Sequence, residues 1–362
     1  MTKAAELAKM GEVLTNSQIG GRRNIVINGS QIVSQRGTSF SLSGTADTFI
    51  TDRFLISNSD TGAWTASQST DAPTGFSNSL KMDCTTADTS PTFLTLMTRF
   101  EGQDLQHLKK GTSSAEKTTL SFFVKSNKTG TYIAELRDID NNRTIGKAYT
   151  ISSADTWEQK IITFDGDTTG AFGNDNGNSL QIIWYLAVGS VYNSGTLATS
   201  WGSRVNANTA VGQVNLADST DNEWYITGIQ LEVGSVATPF EHRSFGEELA
   251  LCQRYYYRRT IGTSYVDYMP YAIAYATTDI QGGIFHPVKM RASPSLVFSG
   301  ILKISQGNAV VTSSSGFSFT SVSTADSMCF YTSGSTFSGL TQFRGYSVYG
   351  NADDYMEVKS EL

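Results

Sequence analysis

Apolar residues fall at every second position over long stretches of this chain. Leu120, Phe122 and Val124 share one face of an extended segment; so do Tyr132, Ala134 and Leu136, Ile162 and Phe164, and Leu180, Ile182, Trp184, Leu186 and Val188. Turn-forming clusters separate these runs at Lys128-Thr-Gly130, Asp138 to Arg143, Asp165 to Asn178 and Asn193-Ser-Gly195. Strands at such intervals, with no helices between them, predict a two-sheet sandwich in preference to a βαβ fold. Weaker alternation predicts short strands at Asn24–Asn28, Gln31–Gln35, Asp52–Ile56 and Trp64–Ser67.

The period changes once, between Trp224 and Arg259. Tyr225, Thr227, Ile229, Leu231 and Val233 form a largely apolar face of one long strand, and Trp224 and Ile226 add apolar area to the other face. Pro239 holds Thr238 extended and ends regular pairing. Ser244 and Glu247 then make a capping box, followed by Phe245, Leu249, Cys252 and Tyr256 along one stripe of a short helix. The run Tyr255-Tyr256-Tyr257 favours strand geometry again. We read this stretch as the seam between two β domains, with Phe245, Leu249 and Cys252 as the packing side of the linking helix.

Beyond Arg259 a second series of strands is expected, at Met269–Ala276, Ile284–Met290, Leu296–Ile304, Asn308–Val311, Phe317–Val322, Met328–Thr332, Gln342–Tyr349 and Tyr355–Lys359. At the other end, Ala4–Leu14 places Leu7, Met10 and Leu14 at three-then-four spacing, the seam pattern of a coiled coil. A helix this short is marginal in water, so it is expected to dock on its own domain or to bundle with other chains.

Composition narrows the function. The chain has 362 residues, enough for two domains, and its 33 glycines against 6 prolines suit many short strands joined by turns. A formal net charge of -6 argues against a nucleic-acid surface. No window is long and apolar enough to span a bilayer, and the first residues lack the apolar block of a signal peptide, so folding in a reducing cytoplasm is expected. Cys84, Cys252 and Cys329 are odd in number and far apart, which frames neither a disulfide scaffold nor a metal site.

An ordered series of short motifs points further: Arg23-Asn-Ile-Val-Ile-Asn-Gly29, Gln35-Arg-Gly-Thr38, Thr51-Asp-Arg-Phe54, Phe100-Glu-Gly-Gln-Asp104, Leu120-Ser-Phe-Phe-Val-Lys-Ser126, and Gly228-Ile-Gln-Leu-Glu-Val-Gly234 with Pro239-Phe-Glu241. Over roughly residues 24 to 258 the series resembles a bacteriophage tail-fibre-type family whose main domain is similar to a carbohydrate-binding-module jelly roll. The resemblance implies a virion tail protein assembled in the host cytoplasm, a homotrimer joined to other tail proteins through its N-terminal end, and a host-surface glycan or protein receptor. With it the expected fold is mainly β: residues 1–21 a helix for attachment or trimerisation, 22–243 a jelly-roll-type β-sandwich, 244–257 a linker helix, and 258–362 a smaller C-terminal β-sandwich. A capsid decoration or structural tail component is the alternative of a different class, and a glycan-degrading tailspike-like enzyme a second.

Catalytic wiring is sparse in the sequence. His107, His242 and His286 lie in separate segments without metal-ligand partners at helical spacing, and no nucleophile elbow, phosphate-binding loop or Cys-x-x-Cys occurs. Glu101 with Asp104, or Asp138 with Asp140, are the carboxylate pairs a glycosidase could use, but acidic residues in β turns ordinarily serve backbone hydrogen bonds. We therefore expect no enzyme. The densest oxygen cluster, Asp165 and Asp167 with Asn174-Asp175-Asn176, is a candidate structural calcium loop, since calcium takes six to eight oxygens and modules of the resembled kind often hold one. An ordinary long polar loop carries the same letters, and no other cofactor is implied. Trp201, in the polar stretch Thr199-Ser-Trp-Gly-Ser203, is the candidate platform for stacking a sugar.

Overall fold

Period-two alternation over residues 39–233 produces a sandwich of two antiparallel sheets. The structure, a computed structural model, describes residues 23–260, 267–306, 309–314, 318–333, 336–351 and 353–362. The helix expected at Ala4–Leu14, with Leu7, Met10 and Leu14, lies outside the described residues. Two compact units divide the chain, one running to Glu248 and including Leu362, the other Leu249–Glu361.

Among the described residues the first unit contains β1 (Ser39–Ser43), β2 (Ala46–Phe49), β3 (Leu55–Ser59), β4 (Ala63–Ser69), β5 (Ser79–Thr86), β6 (Phe93–Glu101), β7 (Thr118–Ser126), β8 (Gly130–Asp138), β9 (Arg143–Ile151), β10 (Glu158–Phe164), β11 (Asn178–Val188), β12 (Gly202–Ser203) and β13 (Glu223–Val233). One sheet has the order β1-β4-β5-β13-β7-β10 and the other β12-β9-β8-β11-β6-β3-β2. Strands distant in sequence thus lie side by side, as in a jelly roll. The core between the sheets takes Trp64, Leu80, Met82, Leu120, Phe122 and Val124 from the first and Leu94, Leu96, Tyr132, Leu136, Ile182 and Trp184 from the second.

Two long strands change parity part-way, which simple alternation does not anticipate. In β13, Trp224 and Ile226 face the core, then Gly228 adopts φ +61° and the pairing with β7 shifts register between Thr227 and Gln230. Ile229 and Leu231 therefore join Trp224 and Ile226 in the core, whereas the sequence set them on opposite faces. In β11 a shift between Tyr185 and Ala187 moves Val188 off the face of Leu180, Ile182, Trp184 and Leu186 to a separate apolar cluster with Ile133, Ile183 and Tyr185.

The strands expected at Asn24–Asn28 and Gln31–Gln35 do not form: residues 27–30 bend and turn, and Asn28 and Gln31 take φ of +60° and +58°. Side chains pin the chain here in place of a ladder: Asn24 Nδ2 donates to the Ile229 carbonyl at 3.0 Å, Asn28 Nδ2 to the Val33 and Asp52 carbonyls at 2.8 and 2.9 Å, and Glu241 Oε2 accepts from the backbone of Arg23 and Asn24, both at 2.7 Å. The linker helix is present as α1 (Phe245–Gln253), and Glu247 N donates to Ser244 Oγ at 3.3 Å, half of the expected capping box. Its expected stripe is not a buried stripe. Phe245 is 57% exposed and Leu249 half-buried, while Glu248 and Cys252 are buried. Glu248 earns burial by accepting from Asn28 N and facing Arg243 at 3.4 Å, contacts a hydrophobic pattern cannot reveal.

The second unit is also β, with β14 (Tyr256–Thr260), β15 (Asp267–Ala274), β16 (Ile280–Phe285), β17 (Ser295–Ser299), β18 (Leu302–Gln306), β19 (Ala309–Ser314), β20 (Ser318–Ser323), β21 (Ser327–Ser333), β22 (Gly345–Tyr349) and β23 (Tyr355–Lys359) among the described residues. They form the sheets β14-β23-β17 and β19-β18-β22-β15-β16-β21-β20 around a core that includes Ile280, Ile304, Phe330, Val348 and Val358. The single strand expected over Leu296–Ile304 is two. Gly300, at φ +88°, turns the chain so that β17 and β18 enter different sheets.

Candidate functional site

Outward positions of a sandwich strand ordinarily meet water. On the seven-stranded sheet of the first unit they build something else. Antiparallel register sets them in cross-strand rows: Asp47, Ser57, Thr95 and Tyr185 in one, Met97, Ile183, Glu135 and Gly146 in the next, and Arg99, Gln181, Arg137 and Thr144 in a third. Most of these side chains floor a groove with a cavity volume of about 260 Å³. Its walls add Tyr192, from the helical turn Ser190–Asn193 after β11, and Arg204, which follows β12. Tyr192 meets Phe93 edge-on, with ring centroids 5.4 Å apart at 79°, and the pair gives the groove an aromatic end.

Below the floor, Glu135 is fully buried. A lone carboxylate there would be costly, and three groups offset the cost. Thr144 Oγ1 and the Tyr185 hydroxyl donate to it, and Arg204 Nε stands 3.5 Å away. Burial, and after it the Glu135 charge, pushes the Tyr185 hydroxyl far above its ordinary value, so Tyr185 stays protonated and remains a donor. Arg99 faces Asp47 at 3.9 Å. Burial first, and then the like charge of Arg204, lower the proton affinity of Arg137, and its Nε, like that of Arg204, is buried without a hydrogen-bond partner. Thr95 Oγ1 is likewise buried and unpartnered. Buried donors are normally satisfied, and at these groove atoms a bound group would find bonds to make.

The groove can therefore hold a ligand rich in hydrogen-bonding oxygens, with an apolar face for Phe93 and Tyr192. Among the described lining residues Asp47 is the sole carboxylate, and Ser57 donates to it at 2.5 Å.

The residues singled out in the sequence lie elsewhere. Trp201 is half-buried, packs on the first core, and donates Nε1 to the Asp165 carbonyl at 2.7 Å, with Lys110 Nζ 5.5 Å from its ring. It anchors a loop. Asp165, Asp167 and Asp175 do not converge. Asp165 pairs with Lys117 at 2.8 Å, Asp175 accepts from Gly177 N at 2.8 Å, and Asp167 receives Arg143 through two bonds of 2.7 and 2.9 Å with Lys110 at 3.1 Å. Among the described residues no three acidic, histidine or cysteine side chains are grouped to hold a metal ion. Amino-acid cations stand on Asp167 where the sequence suggested calcium. Of the carboxylate pairs, Glu101 accepts from Gln103 Nε2 at 2.6 Å, Asp138 from Lys110 at 2.5 Å, and Asp140 from Gly173 N at 2.8 Å, each in a local structural bond.

The groove residues escaped the sequence because attention fell on the inward face of each strand. With Tyr132, Ala134 and Leu136 inward, Ile133, Glu135 and Arg137 must point outward, but charges there suit a plain solvent face equally well, so the letters gave no signal.

No protein-family model and no curated protein sequence matches the chain. Among solved structures it is similar to the enzymatically active domain of tailspike protein 4 of bacteriophage CBA120, at 14% identity and a TM-score of 0.32, over 58% of this chain and 21% of that one. It is also similar to a protein from Bacteroides thetaiotaomicron named for sugar binding, at 11% identity and a TM-score of 0.33, over 59% of this chain and 100% of that one. N-terminal modules of an endo-1,4-β-D-xylanase from Clostridium thermocellum, complexed with xylohexaose, match at 9% identity and a TM-score of 0.31, over 61% of this chain and 30% of that one. Likenesses this distant carry no argument, and the jelly-roll sandwich rests on the sheet order of the chain itself.

Proposed function

We propose that the first unit is a non-catalytic glycan-binding module and that the groove on its seven-stranded sheet is the sugar site. The observation that carries this is the groove floor, where Arg137 Nε and Thr95 Oγ1 are buried without partners beside the aromatic pair Phe93 and Tyr192. A pyranose supplies both halves of what such a surface accepts: oxygens for the donors and a C–H face for the rings. Absence of a facing carboxylate pair among the described lining residues supports binding without cleavage. We place the module in a bacteriophage virion, as a homotrimeric tail-fibre subunit joined to other tail proteins and contributing to host-surface attachment. The support for that finer placement is the ordered motif series from Arg23 to Glu241.

Two measurements test the reading. Retention of the full chain on immobilised bacterial surface polysaccharide should be lost in Gln181→Trp, whose indole fills the groove, while the melting temperature stays near that of the parent. Undiminished retention in a folded variant would place the sugar elsewhere. For assembly, sedimentation should give a mass of three 39.2 kDa chains; a stable monomer at micromolar concentration would remove the trimer.

A further inference from the structure

We infer that the ligand of the groove carries a carboxylate, making it an acidic glycan, and that Arg137 is the residue that binds that group. The inference rests on the reading of the groove as a sugar site and adds the class of sugar.

Charge pairing within the groove leads to it. Three guanidinium groups line the cavity, those of Arg99, Arg137 and Arg204. Two of them are answered: Asp47 stands 3.9 Å from Arg99, which also donates Nη1 to the main-chain oxygen of Leu362, and Glu135 stands 3.5 Å from Arg204. Among the described residues Arg137 has no carboxylate at ion-pair distance, although the Glu135 charge acts on it, and its Nε, like that of Arg204, is buried and makes no hydrogen bond. Among the described lining residues Arg137 is thus the guanidinium with no carboxylate in contact.

The chemistry favours a carboxylate over a hydroxyl. A guanidinium is a planar fork of donors with no acceptor, and a carboxylate is a planar pair of acceptors with no donor. Between them they make two parallel charge-assisted bonds, whereas a hydroxyl would answer one donor and bring no charge. An incoming anion would also relieve the half-buried Arg137 of both burdens on it, its burial and the neighbouring Arg204 charge. The rest of the site suits the remainder of a uronate ring, since Gln181 and Thr95 can bond its hydroxyls and Phe93 with Tyr192 can meet its C–H face.

The experiment uses the full chain on an array of matched oligosaccharides: neutral hexose oligomers, the same oligomers oxidised at C6 to uronates, and sulfated forms. Uronates should be held at least about tenfold more tightly than their neutral partners, as a charge-assisted bond implies. Arg137→Met should erase that difference, with uronates falling further than the neutral oligomers, which lose a hydroxyl's single bond to this donor and no charge. Arg137→Lys should keep part of the preference, because it keeps the charge and loses the fork. Equal retention of neutral and uronate forms, or retention of sulfated forms alone, would overturn the carboxylate and spare the glycan groove. Retention of nothing on the array would overturn both. Should Arg137→Met lose its native melting transition, Arg137→Lys carries the test, and an undiminished uronate preference there overturns the assignment to the fork of Arg137.

Discussion

Lys110 Nζ lies 2.5 Å from Asp138 and 3.1 Å from Asp167, and it donates to the carbonyls of Thr169 and Gly170 at 3.0 and 2.6 Å. Just 4% of its side chain is exposed, and Asp138 is fully buried. Breaking such a pair from one side leaves an uncompensated buried charge, which costs far more than a surface ion pair is worth. Lys110→Met should therefore lower the unfolding free energy of the first unit by about 3 kcal/mol, seen as a lower urea midpoint with unchanged slope. Adding a chelator should leave the parent's melting temperature where it was. A chelator-dependent drop would mean that a metal, and not Lys110 and Arg143, holds this loop. The polar loop itself was legible from its letters, Asp165 to Asn178. What satisfies it was not, because Lys110 and Arg143 arrive from other strands and turns, and sequence distance says nothing about which cation the fold delivers. The same holds for Arg137 and Arg204, whose meeting over Glu135 depends on sheet order.

At the scale of elements, alternation placed β4, β7, β8, β11 and β13 within about two residues and gave no sign of β1, β2, β5, β6, β9 or β12. It failed where a single backbone conformation resets the count. The pairing of β13 with β7 slips at Gly228, whose φ of +61° is open to glycine and strained for other residues. A Cβ built there would lie 2.7 Å from Phe76 Cζ and 3.0 Å from Phe123 Cδ2. Gly228→Ala thus combines left-handed strain with overpacking, and roughly 2–4 kcal/mol of destabilisation is expected in urea unfolding. A loss under about 0.5 kcal/mol would show that the bulge tolerates a side chain and does not set the parity of β13. Local letters could not reveal the bulge, since Thr227-Gly-Ile229 reads equally well as unbroken strand. The Asn24–Asn28 segment failed in the opposite sense. Its apolar run has strand propensity, yet Asn24, Asn28 and Glu241 supply the hydrogen bonds that a ladder would have made. In α1 the sequence located the helix and its buried Cys252, but a carboxylate, Glu248, is buried while Phe245 is exposed.

For the whole molecule, two separate cores imply two separate unfolding events. The first unit buries Trp64, Trp184, Trp224, Phe122 and Phe164; the second, spanning Leu249–Glu361, is less than half as long and buries Tyr257, Phe330 and Tyr346 with Ile304 and Val348. A shorter chain buries a smaller share of its surface, so the second unit should melt first in calorimetry. Acid should widen the gap through Glu357. Burial alone would raise its carboxyl, but hydrogen bonds from Lys359 at 2.6 Å, Arg258 at 2.5 Å and the Tyr256 hydroxyl at 2.7 Å hold it down to about 2, against 4.5 for an unperturbed carboxyl. Because the folded value is the lower one, this stabilisation is complete above pH 4.5 and is lost as the pH falls towards 2. The lower transition should drop over that window. Glu357→Gln should lower that same transition at pH 7 by roughly 5 °C and flatten its pH dependence, and Lys110→Met should move the upper transition alone. One merged transition displaced by both substitutions would mean that the two units unfold as a single cooperative block, whatever the separation of their cores.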